Sequence, residues 1–233
     1  MEQPIEKVQK LAHESGVHLK QYVESNPPKA FSGGKVKFRE YTELVERMDR
    51  TINDVEESLG MESSCRKGCA ACCNHSIIAN GFEVELVLNY LERNNDFDTI
   101  QKVKQKIADV AEVIDKKFGP APKNPYEMEK YLQNEQEIKK EYFELNLKCP
   151  LLSEENTCMV YPVRPSPCWS YRVYGDPNDC EKTHDIPHSI VYVGHEKYYL
   201  DKKNASIEAG SIPRRPSYHL AGFLPQKLRD SIR

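Results

Sequence analysis

Eight of the 233 residues are cysteines, and they stand in two groups. The first is Cys65-Arg-Lys-Gly-Cys69-Ala-Ala-Cys72-Cys73, four thiols within nine residues. The second spreads Cys149, Cys158, Cys168 and Cys180 along a turn-rich stretch, with Cys149 followed by Pro150 and Cys168 preceded by Arg164-Pro165-Ser166-Pro167. Exposed free thiols are oxidation hazards, so such crowding asks for a chemical reason. Thiolates at two- and three-residue intervals can converge on one soft or borderline metal ion. Cys65, Cys69, Cys72, Cys73, Cys149, Cys158, Cys168 and Cys180 are therefore all candidate metal ligands.

Two arrangements stay open. Adjacent side chains such as Cys72 and Cys73 tend to diverge, so they can serve two centres, or one can ligate while the other packs. The chain thus permits one four-sulfur centre with spare thiols, or two centres. Zinc takes four thiolates tetrahedrally. An iron–sulfur cluster also takes four, and Cys149-Pro150 echoes the end of the bacterial ferredoxin ligand run. Zinc and an iron–sulfur cluster remain equal candidates on spacing. Either leaves a net negative charge that needs nearby donors or cations. Arg66, Lys67, Arg164 and Arg172 lie close in sequence, and Arg164, set between Tyr161-Pro162 and Pro165, is the best placed. Among histidines, His75 is the best candidate for an extra ligand, while His184, His188 and His195 fall near the second group. Tyr161, Trp169, Tyr171 and Tyr174 crowd the same stretch and are expected to shield the metal from water.

Composition narrows the setting. Charged residues make up 30% and the mean hydropathy is -0.70, and the apolar runs are too short to span a bilayer. The first residues lack the basic start and apolar core of a signal peptide, which predicts a cytoplasmic protein. Disulfides are the alternative use of an even cysteine count, but disulfide-dense domains are typically small and secreted. A net charge of -3 offers no general attraction to nucleic acid. The expected partner is a metal ion or cluster, with no membrane and no nucleic acid; a protein partner is unknown.

The elements that must hold these thiols are mainly helical. Ile5, Val8, Leu11, Ala12 and Leu19 share one face of a helix that Asn26-Pro27-Pro28 stops. Tyr41, Leu44, Val45, Met48, Ile52, Val55 and Leu59 mark a second helix, with Gly60 as its end signal. Helices resume with Val84 to Leu91 and with Ile100 to Phe118, which Gly119-Pro120-Ala121-Pro122 breaks. A further helix is expected from Pro125 to Leu147, with Met128, Leu132, Ile138, Tyr142 and Leu145 on its face. Leu151 to Tyr161 predicts a small hairpin presenting Cys158. Ser189–Val193 and Lys197–Leu200 predict a second hairpin around Gly194-His195-Glu196. A short helix near Leu220 to Ile232 closes the chain, and the basic tail Arg214-Arg215 with Lys227 and Arg229 is expected at the surface. The expected fold is mainly α, a helical scaffold around an irregular cysteine-rich metal core with one or two short β-hairpins. Residues 1–60 would form an N-terminal helical pair, and 61–182 a cysteine-cluster domain with a helical insertion at 80–147. Residues 183–233 would add a C-terminal hairpin and short helix.

Cys65-x3-Cys69-x2-Cys72-Cys73, Cys149-Pro-Leu-Leu, Cys158-Met-Val-Tyr161 and Arg164-Pro165-x2-Cys168 together resemble the YkgJ-like cysteine-cluster family. That resemblance covers residues 65–73 and 149–180. It implies a zinc- or iron-chelating domain. Relatives of the family include flagellin lysine methylases, which implies an iron–sulfur enzyme as the alternative to a metal-binding protein of unknown activity. C-x3-C-x2-C is also the spacing of radical S-adenosylmethionine enzymes. Those carry an aromatic before the third cysteine, where Ala71 stands here, and an alternating strand–helix barrel that this pattern lacks. No Ser-His-acid order or phosphate-binding glycine loop is present; Gly33-Gly34 lacks the following Lys. No catalytic residue can be named.

Overall fold

A computed structural model describes residues 5–214 and 220–232, without the side chains of 130–132. In chain order the elements are α1 (Ile5–Ser25), α2 (Val36–Ser58), β1 (Ile78–Asn80), α3 (Gly81–Asn94), α4 (Phe97–Phe118), α5 (Pro125–Leu132) and α6 (Glu135–Glu144). A 3-10 turn (Tyr161–Val163), α7 (Ser166–Trp169), β2 (Tyr171–Val173), α8 (Asp179–Lys182), β3 (Ser189–Val191), α9 (Val193–Glu208), β4 (Ala221–Phe223) and α10 (Leu224–Ser231) follow. The fold is mainly α with two small antiparallel sheets, β1–β4 and β2–β3. Among the described residues no helix is long and apolar enough to cross a membrane.

The chain divides into two compact units, each woven from separate stretches. The first comprises residues 1–66, 166–179 and 185–214. In it α1 buries Val8, Leu11, Ser15 and Leu19, and α2 buries Tyr41, Leu44, Val45, Met48, Ile52 and Val55, each set at three-and-four spacing. Gly60, at φ 58, ends α2: its N–H donates to Glu57 O and that of Met61 donates to Glu56 O, a Schellman closure that needs a left-handed residue. Val8, Leu11, Ile52, Val55, Met61, Tyr174, Ile190 and Tyr192 form one core. Tyr41, Trp169 and Tyr199 pack edge-on nearby, with Tyr41–Tyr199 centroids 5.5 Å apart.

One expected hairpin is a helix here. Residues 193–208 form α9, and β3 pairs instead with β2, Tyr171 facing Val191 and Val173 facing Ser189. The reason lies in packing. His195, Tyr198, Tyr199, Ser206 and Ile207 are all buried at helical spacing, which two alternating strands around Gly194 could not achieve.

The second unit comprises residues 67–165, 180–184 and 215–233. Asn80 caps α3: its side chain accepts from the Phe82 and Glu83 N–H groups, and the Glu83 carboxylate accepts from the Asn80 N–H. Val103, Ile107, Ala111 and Ile114 give α4 its buried stripe, and Gly119 at φ 80 stops it. Gln226 and Arg229 of α10 bind Asp115 of α4. Ile114, Tyr142 and Phe223 centre a core completed by Ile78, Val110, Phe118, Ile138 and Leu147. The helix expected from Pro125 to Leu147 is broken into α5 and α6. Its apolar positions already lose phase, since Leu132 and Ile138 are six residues apart, so no single face supports one helix across Gln133-Asn134. Leu132's side chain and Arg215 of the expected basic tail lie outside the described residues.

Candidate metal centre

All eight cysteines are free thiols. Cys69, Cys72, Cys73, Cys149, Cys158 and Cys180 belong to the second unit, and Cys65 and Cys168 to the first. Cys65 is exposed, and its Sγ accepts from the Val173 N–H at 3.4 Å.

In the second unit, backbone bonds draw the two cysteine groups together. The loop curls after Gly68, which sits at φ 93. Cys73 N–H donates to Ala70 O at 3.0 Å and His75 N–H to Cys72 O at 3.1 Å, so two successive turns fold residues 70–75 on themselves. Cys149 N–H then donates to Cys73 O at 2.7 Å, joining segments 76 residues apart in sequence. Cys158 is presented by a tight loop: Leu152 and Cys158 form a bridge, Met159 N–H donates to Leu151 O, and Asn156 turns the chain at φ 56. The expected hairpin there is reduced to that single bridge. The His75 ring reaches the Cys180 carbonyl, with Nε2 at 2.7 Å.

The thiols feel one another. The Cys72 thiol is pushed well up, first by its hydrogen bond with Cys73 and then by burial. Burial pushes the Cys149 thiol up to about 12, with Cys158 and Cys72 adding repulsion against its ionisation. Burial also raises Cys158, opposed in part by the Arg164 charge. Arg164 is buried; its guanidinium lies 4.1 Å from the Tyr161 ring centroid and donates to Tyr161 O at 3.0 Å. Cys72, Cys73, Cys149 and Cys158 are thus one electrostatically connected set with a cation beside it. Among the described residues no group of three or more Cys, His, Asp or Glu side chains is closed into coordinating geometry.

The donor chemistry nonetheless fits a thiophilic metal. A bound cation would replace the protons that burial and neighbouring thiols hold on Cys72, Cys149 and Cys158. Asn74, between Cys73 and His75, is 3% exposed and its Oδ1 has no hydrogen-bond partner, as is also true of Ser170 Oγ and His188 Nδ1 in the first unit. Orphaned buried acceptors are costly and seldom retained without a reason. Asn74 escaped the sequence reading, because nothing in its type or spacing signals burial.

Several sequence candidates are committed elsewhere. Arg172 does not serve the thiols: it binds Glu56 at 2.9 Å, Asn53 at 2.6 Å and Asp49 at 3.1 Å within the first unit. Tyr174 donates to Glu56 at 2.6 Å and Trp169 packs on Tyr199, so these rings fill the first unit's interior rather than covering a metal. His195 is buried against Thr51 and Tyr192, and His188 also lies in the first unit. His184 belongs to the second unit, with Phe143 between it and His75 in a chain of rings 5.1 and 6.5 Å apart. Arg66 and Lys67 are exposed.

Fold and site together define a mainly helical protein with a thiol-rich centre suited to a borderline or soft metal. A family model named CxxCxxCC, described as "Putative zinc- or iron-chelating domain", matches residues 64–189, and the chain belongs to that family. Neither a curated protein nor a solved structure matches the chain. Here the first cysteine of the motif stands at Cys65, with three residues rather than two between it and Cys69.

Proposed function

We propose that the chain is a cytosolic metal-binding protein whose centre, zinc or an iron–sulfur cluster, is held by the thiolates of Cys72, Cys73, Cys149 and Cys158. Cys69 and Cys180 are further ligand candidates in the same unit. The observation that carries this reading is the bond from Cys149 N–H to Cys73 O at 2.7 Å, which brings the two cysteine groups together from far apart in sequence. Bound there, the metal would supply charge neutralisation and a cross-link between the loop at 69–75 and the loop at 149–158. Arg164 offsets residual negative charge, and the bond from Cys149 N–H to Cys73 O holds the two loops in register.

The enzyme alternative, an iron–sulfur oxidoreductase or a methylase-like protein, rests on the resemblance alone, and we rank it second. Anaerobic purification with elemental analysis and an absorption spectrum tests the proposal. Stoichiometric zinc in a colourless protein, or equal iron and sulfide in a brown one, supports it and chooses the metal. A folded protein that carries neither and takes up neither would end it.

A further inference from the structure

The imidazole of His75 has a tautomer fixed by its surroundings. Its Nε2 stands 2.7 Å from the Cys180 carbonyl oxygen, and a carbonyl can only accept, so Nε2 carries the hydrogen. In the neutral ring the other nitrogen, Nδ1, is then left with its lone pair. The ring is also held by Phe143, with centroids 5.1 Å apart. His75 closes the turn that begins at Cys72, through its own N–H to Cys72 O. A basic nitrogen therefore springs from the same turn as the adjacent thiols. In that turn Asn74 Oδ1, between Cys73 and His75, is buried and unmatched.

This is how a ligating histidine is prepared in general: one ring nitrogen donates to a carbonyl, which fixes the ring and makes the other nitrogen the better base. We propose that His75 is a nitrogen ligand, through Nδ1, of the metal held by the cysteine thiolates, with the Cys180 carbonyl as the group that orients it. The inference rests on the metal-binding reading above. It changes the chemistry of the centre. His75 would take the place of one of the four thiolates named above, and in a zinc site that exchange for neutral imidazole takes the net charge from -2 to -1, which eases the demand on Arg164 as a nearby cation. In an iron–sulfur centre the same exchange raises the reduction potential, as histidine ligation does in Rieske centres. It also gives Cys180 a role through its backbone that does not require its thiol to bind.

The test uses the full chain, prepared anaerobically without metal and titrated with cobalt(II), whose visible bands report the number of sulfur and nitrogen ligands. Wild type is compared with His75→Ala, His75→Gln and Cys149→Ser, each checked for fold by circular dichroism. Glutamine keeps an N–H able to reach the Cys180 carbonyl but has no basic nitrogen. Loss of even an outer-shell partner costs about 10–100-fold in affinity, so loss of a ligand should weaken cobalt binding by more than about 100-fold. Both His75 variants should show that loss with shifted bands, and free imidazole should move the His75→Ala spectrum back toward wild type. Superimposable spectra and affinities for wild type and both His75 variants would overturn the assignment. So would a defect in His75→Ala that His75→Gln repairs, since His75 would then act only as a clamp. If Cys149→Ser fails while the His75 variants bind normally, the metal reading survives and this inference falls. If wild type takes up neither cobalt nor, on anaerobic reconstitution with iron and sulfide, a cluster, both fall. X-ray absorption at the zinc edge of loaded wild type answers the question without a variant, because imidazole gives outer-shell scattering that thiolate does not.

Discussion

The two compact units bury polar chemistry in opposite ways. In the first, Arg172, Glu56, Asp49, Asn53, Tyr174 and Tyr192 satisfy one another: guanidinium meets two carboxylates, and both phenols converge at 2.6 Å. A buried charge network of this kind is costly to assemble but complete. In the second unit the clustered groups are half-buried thiols, Cys72 raised first by Cys73 and Cys149 and Cys158 first by burial, with an unmatched amide oxygen in the same segment. Complete networks hold a fold, whereas incomplete ones mark where another group belongs. The contrast is between a charged network that the chain completes by itself and clustered thiols that it leaves for a ligand; unmatched buried atoms occur in both units, Ser170 Oγ and His188 Nδ1 in the first and Asn74 Oδ1 in the second.

Removing the metal should open that contrast most widely. Structural zinc contributes about 10–16 kcal/mol in small peptides, although a unit with its own core around Ile114, Tyr142 and Phe223 will lose less. Chelation, or the double change Cys149→Ser with Cys158→Ser, should collapse hydrogen-exchange protection at residues 69–75 and 149–158. Trp169, the sole tryptophan and buried in the first unit, should keep its emission spectrum. A red shift of that emission on chelation would show that the first unit depends on the metal too.

The converse change is smaller. Glu56→Ala leaves the buried Arg172 guanidinium short of a partner and takes an acceptor from Tyr174, and should destabilise by about 3–5 kcal/mol in denaturant unfolding. Metal content per chain should not change. If metal is lost with Glu56, the division between the two kinds of polarity fails.

The first unit should also carry a pH dependence that owes nothing to the thiols. His195 is 1% exposed, and burial, with Arg172 and His18 adding repulsion, pushes it down from 6.5 to about 4. The folded state resists protonating it, so between about pH 6.5 and 4 the unfolded chain binds the extra proton. Its contribution is full above pH 6.5 and is lost as pH falls toward 4, up to about 3 kcal/mol. Neutral Tyr192 and Thr51 face it and do not titrate in that window. His195→Gln should flatten the stability profile over that window relative to wild type; an unchanged slope would refute the assignment.

The smallest effect belongs to local structure. Asn80→Ala removes the acceptor for two N–H groups at the start of α3 and should cost about 1 kcal/mol, read as a lower unfolding midpoint with metal affinity retained. A large loss of affinity instead would mean that α3 positions the centre.

Much of this could be read before folding. The boundaries of α1 and α2 follow from Asn26-Pro27-Pro28 and from Gly60, and α4 ends at Gly119, because these residues act within a turn of where they stand. The cysteine spacing and the family resemblance named the chemistry, since thiol crowding is a property of the chain itself. Local pattern failed where partners come from afar. Lys197–Leu200 reads as a strand paired with Ser189–Val193, yet β3 found its partner in β2 and residues 193–208 bury one helical face. Arg172 sits four residues after Cys168, but only folding shows that its charge belongs to Glu56 and Asp49. The same holds for the ligands. Sequence determined that eight thiols exist and in what groups. Tertiary structure decided that Cys149 lies against Cys73, that His75 turns its Nε2 to Cys180 and that Asn74 is enclosed without a partner, because burial and pairing across long separations are set by packing and not by neighbours in the chain.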